Sequence, residues 1–205
     1  MNRVQLLDAL QAIRDTMAEN RDFLTDLDAR YGDGDLGVSM CSGFQAVCES
    51  VENSEQTDLG QLLRGCSNAF NAAAPSTLGT LFSVGMMGMA KSLRGSEEAA
   101  LPALAAALAG GVRLMMERGG SAPGEKTVID ALLPAAAALE EHADRGAREA
   151  FAAAYAAAAG GLERTRDMVG RHGRVAYYGE KTLGDTDAGA AAGMLIFRAL
   201  SGRFS

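Results

Sequence analysis

The sequence predicts an all-α chain built as an antiparallel eight-helix bundle, a single domain over residues 1–205. Three observations carry that expectation. Apolar residues recur at the helical period almost throughout, while no alternating strand and no hairpin signal is found. The intervals between periodic stretches are mostly short, which favours antiparallel neighbours. Alanine, the best helix former, fills long runs such as 150–159, which read as close-packed helix rather than as a disordered tract.

Taken in order, Val4, Leu7, Leu10, Ile13 and Met17 mark a first amphipathic helix over 3–19. A short helical or turn segment with Phe23, Leu24 and Leu27 leads into an acidic loop. The second helix spans 38–52. The third starts behind Thr57 and Asp58, good N-cap residues, and reaches Ala73. Pro75 breaks it, and the fourth covers 77–93. A fifth is expected from Ser96, with Glu97 and Glu98 suited to the positive end of a helix dipole, to just before Gly119 and Gly120. The sixth spans 125–141, with Pro134 a candidate kink. The seventh covers 146–170 and the eighth 187–202.

Composition bounds the function. Hydrophobic residues make up 48% of the chain, enough for one sizeable core, yet aromatics are 5% and Trp is absent. The core must therefore be packed by Ala, Leu, Val and Met, whose small members let helices approach closely. A net charge of −7 speaks against a nucleic-acid surface, which needs a basic patch. The three cysteines, Cys41, Cys48 and Cys66, are odd in number and form no C-x-x-C, and so read as reduced thiols of a cytoplasmic protein. The first residues lack the apolar run of a signal peptide, and the Ala-rich runs are too short and too broken to span a bilayer, so no membrane role is expected.

The stretch most loaded with chemistry is Leu27-Asp28-Ala29-Arg30-Tyr31-Gly32-Asp33-Gly34-Asp35-Leu36-Gly37. On a continuous helix Asp28 and Asp33 would lie about 140° apart. The glycines argue instead that the helix ends and the backbone folds back, aiming Asp28, Asp33 and Asp35 at one point. Two carboxylates roughly 4 Å apart repel by about 4 kcal/mol at an effective dielectric near 20. A hard divalent cation removes that cost, and oxygen-only ligation suits Mg²⁺, Mn²⁺ or Ca²⁺ rather than zinc. Asp-Gly is also an ordinary turn signal. An EF-hand fails on register: counted from Asp33, the fifth position is Gly37 and the twelfth is Phe44. A Mg²⁺ site shared with phosphate oxygens is the better expectation.

Three further loops stand out. Ala74-Pro75-Ser76-Thr77-Leu78-Gly79-Thr80 is hydroxyl-rich and opens a helix, which suits either a phosphate or a plain capped turn. Gly119-Gly120-Ser121-Ala122-Pro123-Gly124-Glu125-Lys126-Thr127 is glycine-rich and again precedes a helix. The stretch from Gly173 to Gly189 is long and charged, and Tyr177 and Tyr178 argue for its order. In an up-and-down array these loops share one end with the acidic loop, which makes that end the expected site.

The same residues carry a family resemblance. The acidic loop resembles the L-D-x-x-x-G-D-G-D-x-G signature of the dihydroxyacetone kinase L-subunit family (DhaL, DAK2). The third loop, continued through Asp130-Ala131-Leu132-Leu133-Pro134, is similar to that family's G-x-x-P-G-D-K-T-x-x-D-A-L-x-P. The fourth resembles G-R-A-x-Y-x-G-E-R-S-x-G-H-x-D-P-G-A. The match runs in order from about Leu24 to the C-terminus. It implies an eight-helix barrel with ADP or ATP at one end and two Mg²⁺ held by Asp28, Asp33 and Asp35. It further implies that Leu36, Gly37, Val38 and Ser39 wrap the phosphates, and that Thr77 and Leu78 touch the nucleotide. Gly119, Thr127 and Val128 match positions around the base. Asp187, Ala188 and Gly189 match a further nucleotide-contacting turn, and Arg174 an arginine near the transferred phosphoryl group.

In function, the resemblance implies a phosphotransferase subunit for dihydroxyacetone or another short ketose. Its partner would be a K-type subunit that carries the substrate on a histidine. The phosphoryl donor is either ATP or a phosphotransferase-system phosphocarrier protein, and a homodimer is a further assembly left open. His142 and His172 match no substrate motif. The first reads as solvated, and the second as a residue at a helix C-terminus with dipole and capping roles. Departures are visible too: Leu36 stands where the family usually has His, the hydroxyls of the second loop are shifted, and Asp185-Thr186-Asp187-Ala188-Gly189 replaces H-x-D-P-G. They keep open a second reading, a non-catalytic Mg–ADP sensor that controls a partner protein.

Overall fold

Asn2 caps the first helix of the computed structural model, which describes residues 1–204. Its side chain accepts the Gln5 N–H while the Gln5 side chain answers the Asn2 N–H, so two free donors of the first turn are satisfied at once. Helix α1 (Arg3–Glu19) is followed by short α2 (Arg21–Asp28), then α3 (Leu36–Glu52), α4 (Leu59–Ala73) and α5 (Thr77–Ser92). The remaining α-helices are α6 (Leu101–Gly119), α7 (Ile129–His142), α8 (Ala147–Arg164) and α9 (Ala188–Arg203). No strand occurs among the described residues. Among the described residues no helix is long and apolar enough to cross a membrane.

Each long helix packs on the next, and α9 returns to α1. The eight long helices, α1 and α3 to α9, thus close a ring, with α2 laid against α3 and α9. This is the all-α, eight-helix arrangement expected from the sequence. The interior is filled by Met17, Met40, Leu59, Ile129, Leu139, Leu195 and Phe197, all buried, and by a cluster of Phe44, Phe70 and Phe82. The Phe44 and Phe70 rings meet edge-on at 5.2 Å, and Phe70 lies 5.8 Å from Phe82. Truncating the fully buried Phe70 to alanine would cost about 3–5 kcal/mol.

Two helix starts differ from expectation, each for a physical reason. The fifth long helix starts at Leu101, not Ser96, with Pro102 in its first turn, where its missing N–H costs nothing. Residues 96–100 instead tie neighbouring elements together: Ser96 O accepts the Leu59 N–H at 2.8 Å and the Ala99 N–H donates to Met1 O at 2.9 Å. Helix α7 starts at Ile129, not near 125. Lys126 has φ +61°, outside any helix, and the Asp130 carboxylate takes the Gly124 and Thr127 N–H groups at 2.6 and 2.8 Å. Helix α8 ends at Arg164 and gives way to a single 3₁₀ turn over Thr165–Asp167, so residues 168–170, expected as helix, are irregular. Pro134 is accommodated inside α7.

Candidate functional site

The connections α2–α3, α4–α5, α6–α7 and α8–α9 open on one cavity of about 860 Å³. Each brings a helix N-terminus to it. Leu36 begins α3, Thr77 and Leu78 begin α5, Val128 precedes α7, and Ala188 and Gly189 begin α9; all line the cavity. The first N–H groups of a helix lack intrahelical partners and carry its positive dipole end. Four such ends around one space favour an anion there.

Opposite charge sits beside them. Asp28, Asp33 and Asp35 each offer one carboxylate oxygen, and these atoms lie within 4.8 Å of one another. Asp28 is the last residue of α2, and its Oδ2 accepts the Gly34 N–H at 2.9 Å. Gly32 gives the Asp28 side chain its room, since a Cβ there would lie 2.2 Å from Asp28 Oδ1 and 2.9 Å from Asp28 O. Asp35 occupies the N-cap of α3 yet makes no capping hydrogen bond, whereas Asp58, Ser76 and Asp187 all cap their helices. Its carboxyl is pushed above the usual range, first by burial and then by the charges of Asp33 and Asp28. A cation would reverse that shift, and the all-oxygen donor set fits Mg²⁺, Mn²⁺ or Ca²⁺. The Arg174 Nη2 lies 2.7 Å from Asp33 Oδ2.

Of the residues expected at the site, Asp28, Asp33, Asp35, Leu36, Thr77, Leu78, Gly119, Thr127, Val128, Arg174, Asp187, Ala188 and Gly189 line this one cavity. Gly37, Val38 and Ser39 are not among its lining residues. Gly37 serves helix packing: a Cβ there would lie 2.1 Å from Arg21 O and 2.4 Å from Thr25 Oγ1, so only glycine lets α3 approach α2. Val38 is largely exposed, and the Ser39 N–H donates to Asp35 O within the first turn of α3.

The structure adds residues that sequence reasoning passes over. Arg30 Nη1 pairs with Asp185 Oδ1 at 2.8 Å, and the Tyr31 O–H bonds Asp185 Oδ2 at 2.7 Å and lies 2.9 Å from Lys181 O. The hydrogen bond from Tyr31, followed by the Arg30 charge, holds the Asp185 carboxyl below its usual range. Tyr31 also meets Tyr178 edge-on at 5.0 Å. The acidic loop and the fourth loop are therefore latched at the rim. His172 is not at a helix C-terminus; it lies in the loop beyond α8, on the cavity wall, with Nε2 2.6 Å from Glu125 Oε2. His142, by contrast, sits at the end of α7 with Nδ1 3.0 Å from Ala138 O.

Lys126 of the third loop, 1% exposed, reaches into the base of the fourth. Its Nζ donates to Thr165 O at 2.7 Å, Thr182 O at 2.8 Å and Asp185 O at 2.6 Å. Burial pushes this ammonium below the ordinary lysine range. Neighbouring Asp187 caps α9 through the Ala190 N–H at 2.7 Å, and burial raises its carboxyl to about 7.

Known proteins are similar to this chain in sequence and fold. The "PEP-dependent dihydroxyacetone kinase, ADP-binding subunit DhaL" of Escherichia coli is 27% identical over 203 residues, covering 98% of this chain and 97% of the relative. A subunit of the same description from Listeria innocua is 30% identical over 182 residues, covering 89% of this chain and 87% of its own. The "L-erythrulose 1-kinase" of Mycolicibacterium smegmatis is 30% identical over 195 residues, but this chain spans only 34% of it. A crystal structure of the dihydroxyacetone kinase from C. freundii in complex with AMP-PNP and Mg²⁺ superposes on 97% of this chain with a TM-score of 0.77 at 25% identity; again this chain spans 34% of that protein. The DAK2 domain family matches residues 30–202, most of the chain, with the second, third and fourth loops whole and the acidic loop from Arg30 onward, and this chain belongs to that family.

Proposed function

We propose that this chain is the nucleotide-binding, phosphoryl-transferring subunit of a short-ketose kinase of the dihydroxyacetone type. One observation carries the reading: three converging carboxylates, four helix N-termini and Arg174 face a single cavity. Phosphoryl transfer needs little covalent chemistry from a protein; it needs positioning and neutralisation of charge. Asp28, Asp33 and Asp35 are the residues that would hold Mg²⁺, two ions by family resemblance. The metal would supply charge neutralisation on the nucleotide phosphates. The N–H groups at the heads of α3, α5, α7 and α9 orient phosphate oxygens, and Thr77, Leu78, Gly119, Thr127 and Val128 supply the walls for ADP or ATP. Arg174 adds positive charge where the phosphoryl group leaves.

The histidine on the cavity wall, His172, matches no substrate-carrying motif, and its Nε2 lies 2.6 Å from Glu125 Oε2. A separate K-type subunit therefore brings the ketose, and the donor is ATP or a phosphocarrier protein that recharges retained ADP. The reduced cysteines, Cys41, Cys48 and Cys66, agree with a cytoplasmic setting. Leu36, buried at the head of α3 where it can donate no hydrogen bond to phosphate, favours a second reading, a Mg–ADP sensor without transfer activity. An assay separates the two. The chain alone, with Mg–ATP and dihydroxyacetone, glyceraldehyde or erythrulose, should phosphorylate none of them. Adding a K-type subunit should yield transfer from ATP or from the phosphorylated carrier. Turnover without a partner overturns the two-protein reading, and tight Mg–ADP binding with no transfer in any combination favours the sensor.

A further inference from the structure

A lysine in a glycine-rich loop ahead of a helix, on the wall of a phosphate cavity, is ordinarily read as a phosphate ligand. The geometry here points elsewhere. We infer that Lys126 is a positioning residue: its ammonium closes the neck of the fourth loop and thereby places the lobe that carries Arg174, without itself binding nucleotide. The inference rests on the phosphoryl-transfer reading above for its kinetic consequence, but not for its structural one.

An ammonium has three N–H donors. All three of Lys126 point at main-chain carbonyls, those of Thr165, Thr182 and Asp185. None remains for a phosphate oxygen. The three carbonyls come from the two arms of one neck. Thr165 lies just past α8, where the loop leaves; Thr182 and Asp185 lie where it returns to α9. Other bonds stitch the same two arms. The Gly170 N–H donates to Thr182 Oγ1 at 3.1 Å, the Gly184 N–H to Arg166 O at 2.8 Å, and the Asp187 N–H to Thr165 Oγ1 at 2.9 Å. Between them residues 170–182 form a lobe with Arg174 on it, directed at Asp33.

Two costs mark the position of Lys126 as imposed by its surroundings. It is the single non-glycine residue with positive φ among those described, and it buries an ammonium that forms no ion pair among them. Such features persist where the rest of the structure over-determines them. The other two lysines of the chain, Lys91 and Lys181, are exposed.

The test uses the whole chain. In Lys126→Met, amide hydrogen exchange at Gly170 and at residues 183–185 should quicken at least about tenfold, the scale of losing a charge-assisted hydrogen bond. Mg–ADP affinity should change little. With a K-type partner, kcat should fall roughly 10²-fold, as for a reacting group displaced by about an ångström. The independent measurement needs no variant. In the ¹⁵N spectrum of lysine side chains the Lys126 ammonium should be protected from solvent exchange, unlike those of Lys91 and Lys181, and unmoved by Mg–ADP. Unchanged loop exchange in Lys126→Met, or an ammonium signal that shifts strongly on nucleotide addition, overturns the inference. Should the variant not fold, the wild-type spectrum decides alone. Absence of any transfer by the wild-type pair sinks the proposed function, while the exchange and spectral results still judge Lys126.

Discussion

Arg174 Nη2 lies 2.7 Å from Asp33 Oδ2, so an arginine of the fourth loop meets a carboxylate of the first across the mouth of the cavity. Both side chains are well exposed, 64% and 43%, and an exposed pair of this kind adds little to stability. Its interest is therefore functional. Arg174→Ala should leave the melting temperature nearly unchanged and lower transfer in the reconstituted system by about 10³-fold or more, on the arginine-finger scale. Mg–ADP affinity should move far less. Measuring kcat and nucleotide affinity side by side decides the point, and unchanged turnover would make Arg174 an ordinary surface arginine.

The carboxylate cluster yields a binding prediction. Mg²⁺ with ADP should stabilise the chain together, and either alone should do much less. At a hundredfold excess over Kd the linkage is about 2.7 kcal/mol, or roughly 5–10 °C in Tm for a chain of this size. Asp35→Asn should lose most of that shift with the helical spectrum intact, because Asp35 gives α3 no capping bond whose loss would unfold it. A full shift in the variant would remove Asp35 from the metal site.

Much of this is legible in the chain, and the limits are physical. The apolar spacing of Val4 to Met17 locates α1, and Asp58 is the N-cap its residue type suggests, accepting the Gln61 N–H at 2.7 Å. The Asp-Gly alternation of the acidic loop is a local signal, so the closeness of its three carboxylates can be anticipated. Features that escape the sequence depend on distant partners. Gly37 looks like a phosphate-loop glycine in sequence, but Arg21 O is what forbids a side chain there. Lys126 takes its meaning from carbonyls 39, 56 and 59 positions away. Helix α7 starts later than the apolar pattern suggests because the Lys126 backbone, at φ +61°, is not helical, and the Asp130 carboxylate holds the Gly124 and Thr127 N–H groups in the turn ahead of the helix.

The rim latch can be opened with one oxygen atom. Tyr31→Phe removes the hydroxyl that bonds Asp185 Oδ2 at 2.7 Å and lies 2.9 Å from Lys181 O, while keeping the ring against Tyr178. These groups are partly exposed, so Tm should fall by only a few degrees at most. Local opening should respond more strongly. Trypsin should cut after Lys181 faster in the variant than in the wild type, since proteolysis under native conditions tracks the open population. Equal cleavage rates would show that the tyrosine does not restrain the loop.

Asp187 supplies a prediction about pH. Its folded carboxyl sits at about 7, raised by burial from an ordinary carboxylate near 3.8. The folded chain therefore keeps a proton through a window in which the unfolded chain has already lost it. Stability falls as pH rises through that window, and the full cost is present once the folded group ionises above about 7. Below about pH 4 both states are protonated and the residue costs nothing. Asp187→Asn removes the charge yet retains an oxygen to accept the Ala190 N–H, as an N-cap requires. Some two pH units of the window lie between pH 5 and 7, and at about 1.4 kcal/mol per unit the variant should gain on the order of 2–3 kcal/mol over the wild type in that interval. Urea denaturation of both proteins at pH 5 and pH 8, without nucleotide, reads this directly. A stability difference that does not change with pH would show that Asp187 ionises as a solvated carboxylate, and that burial at the head of α9 does not hold its proton.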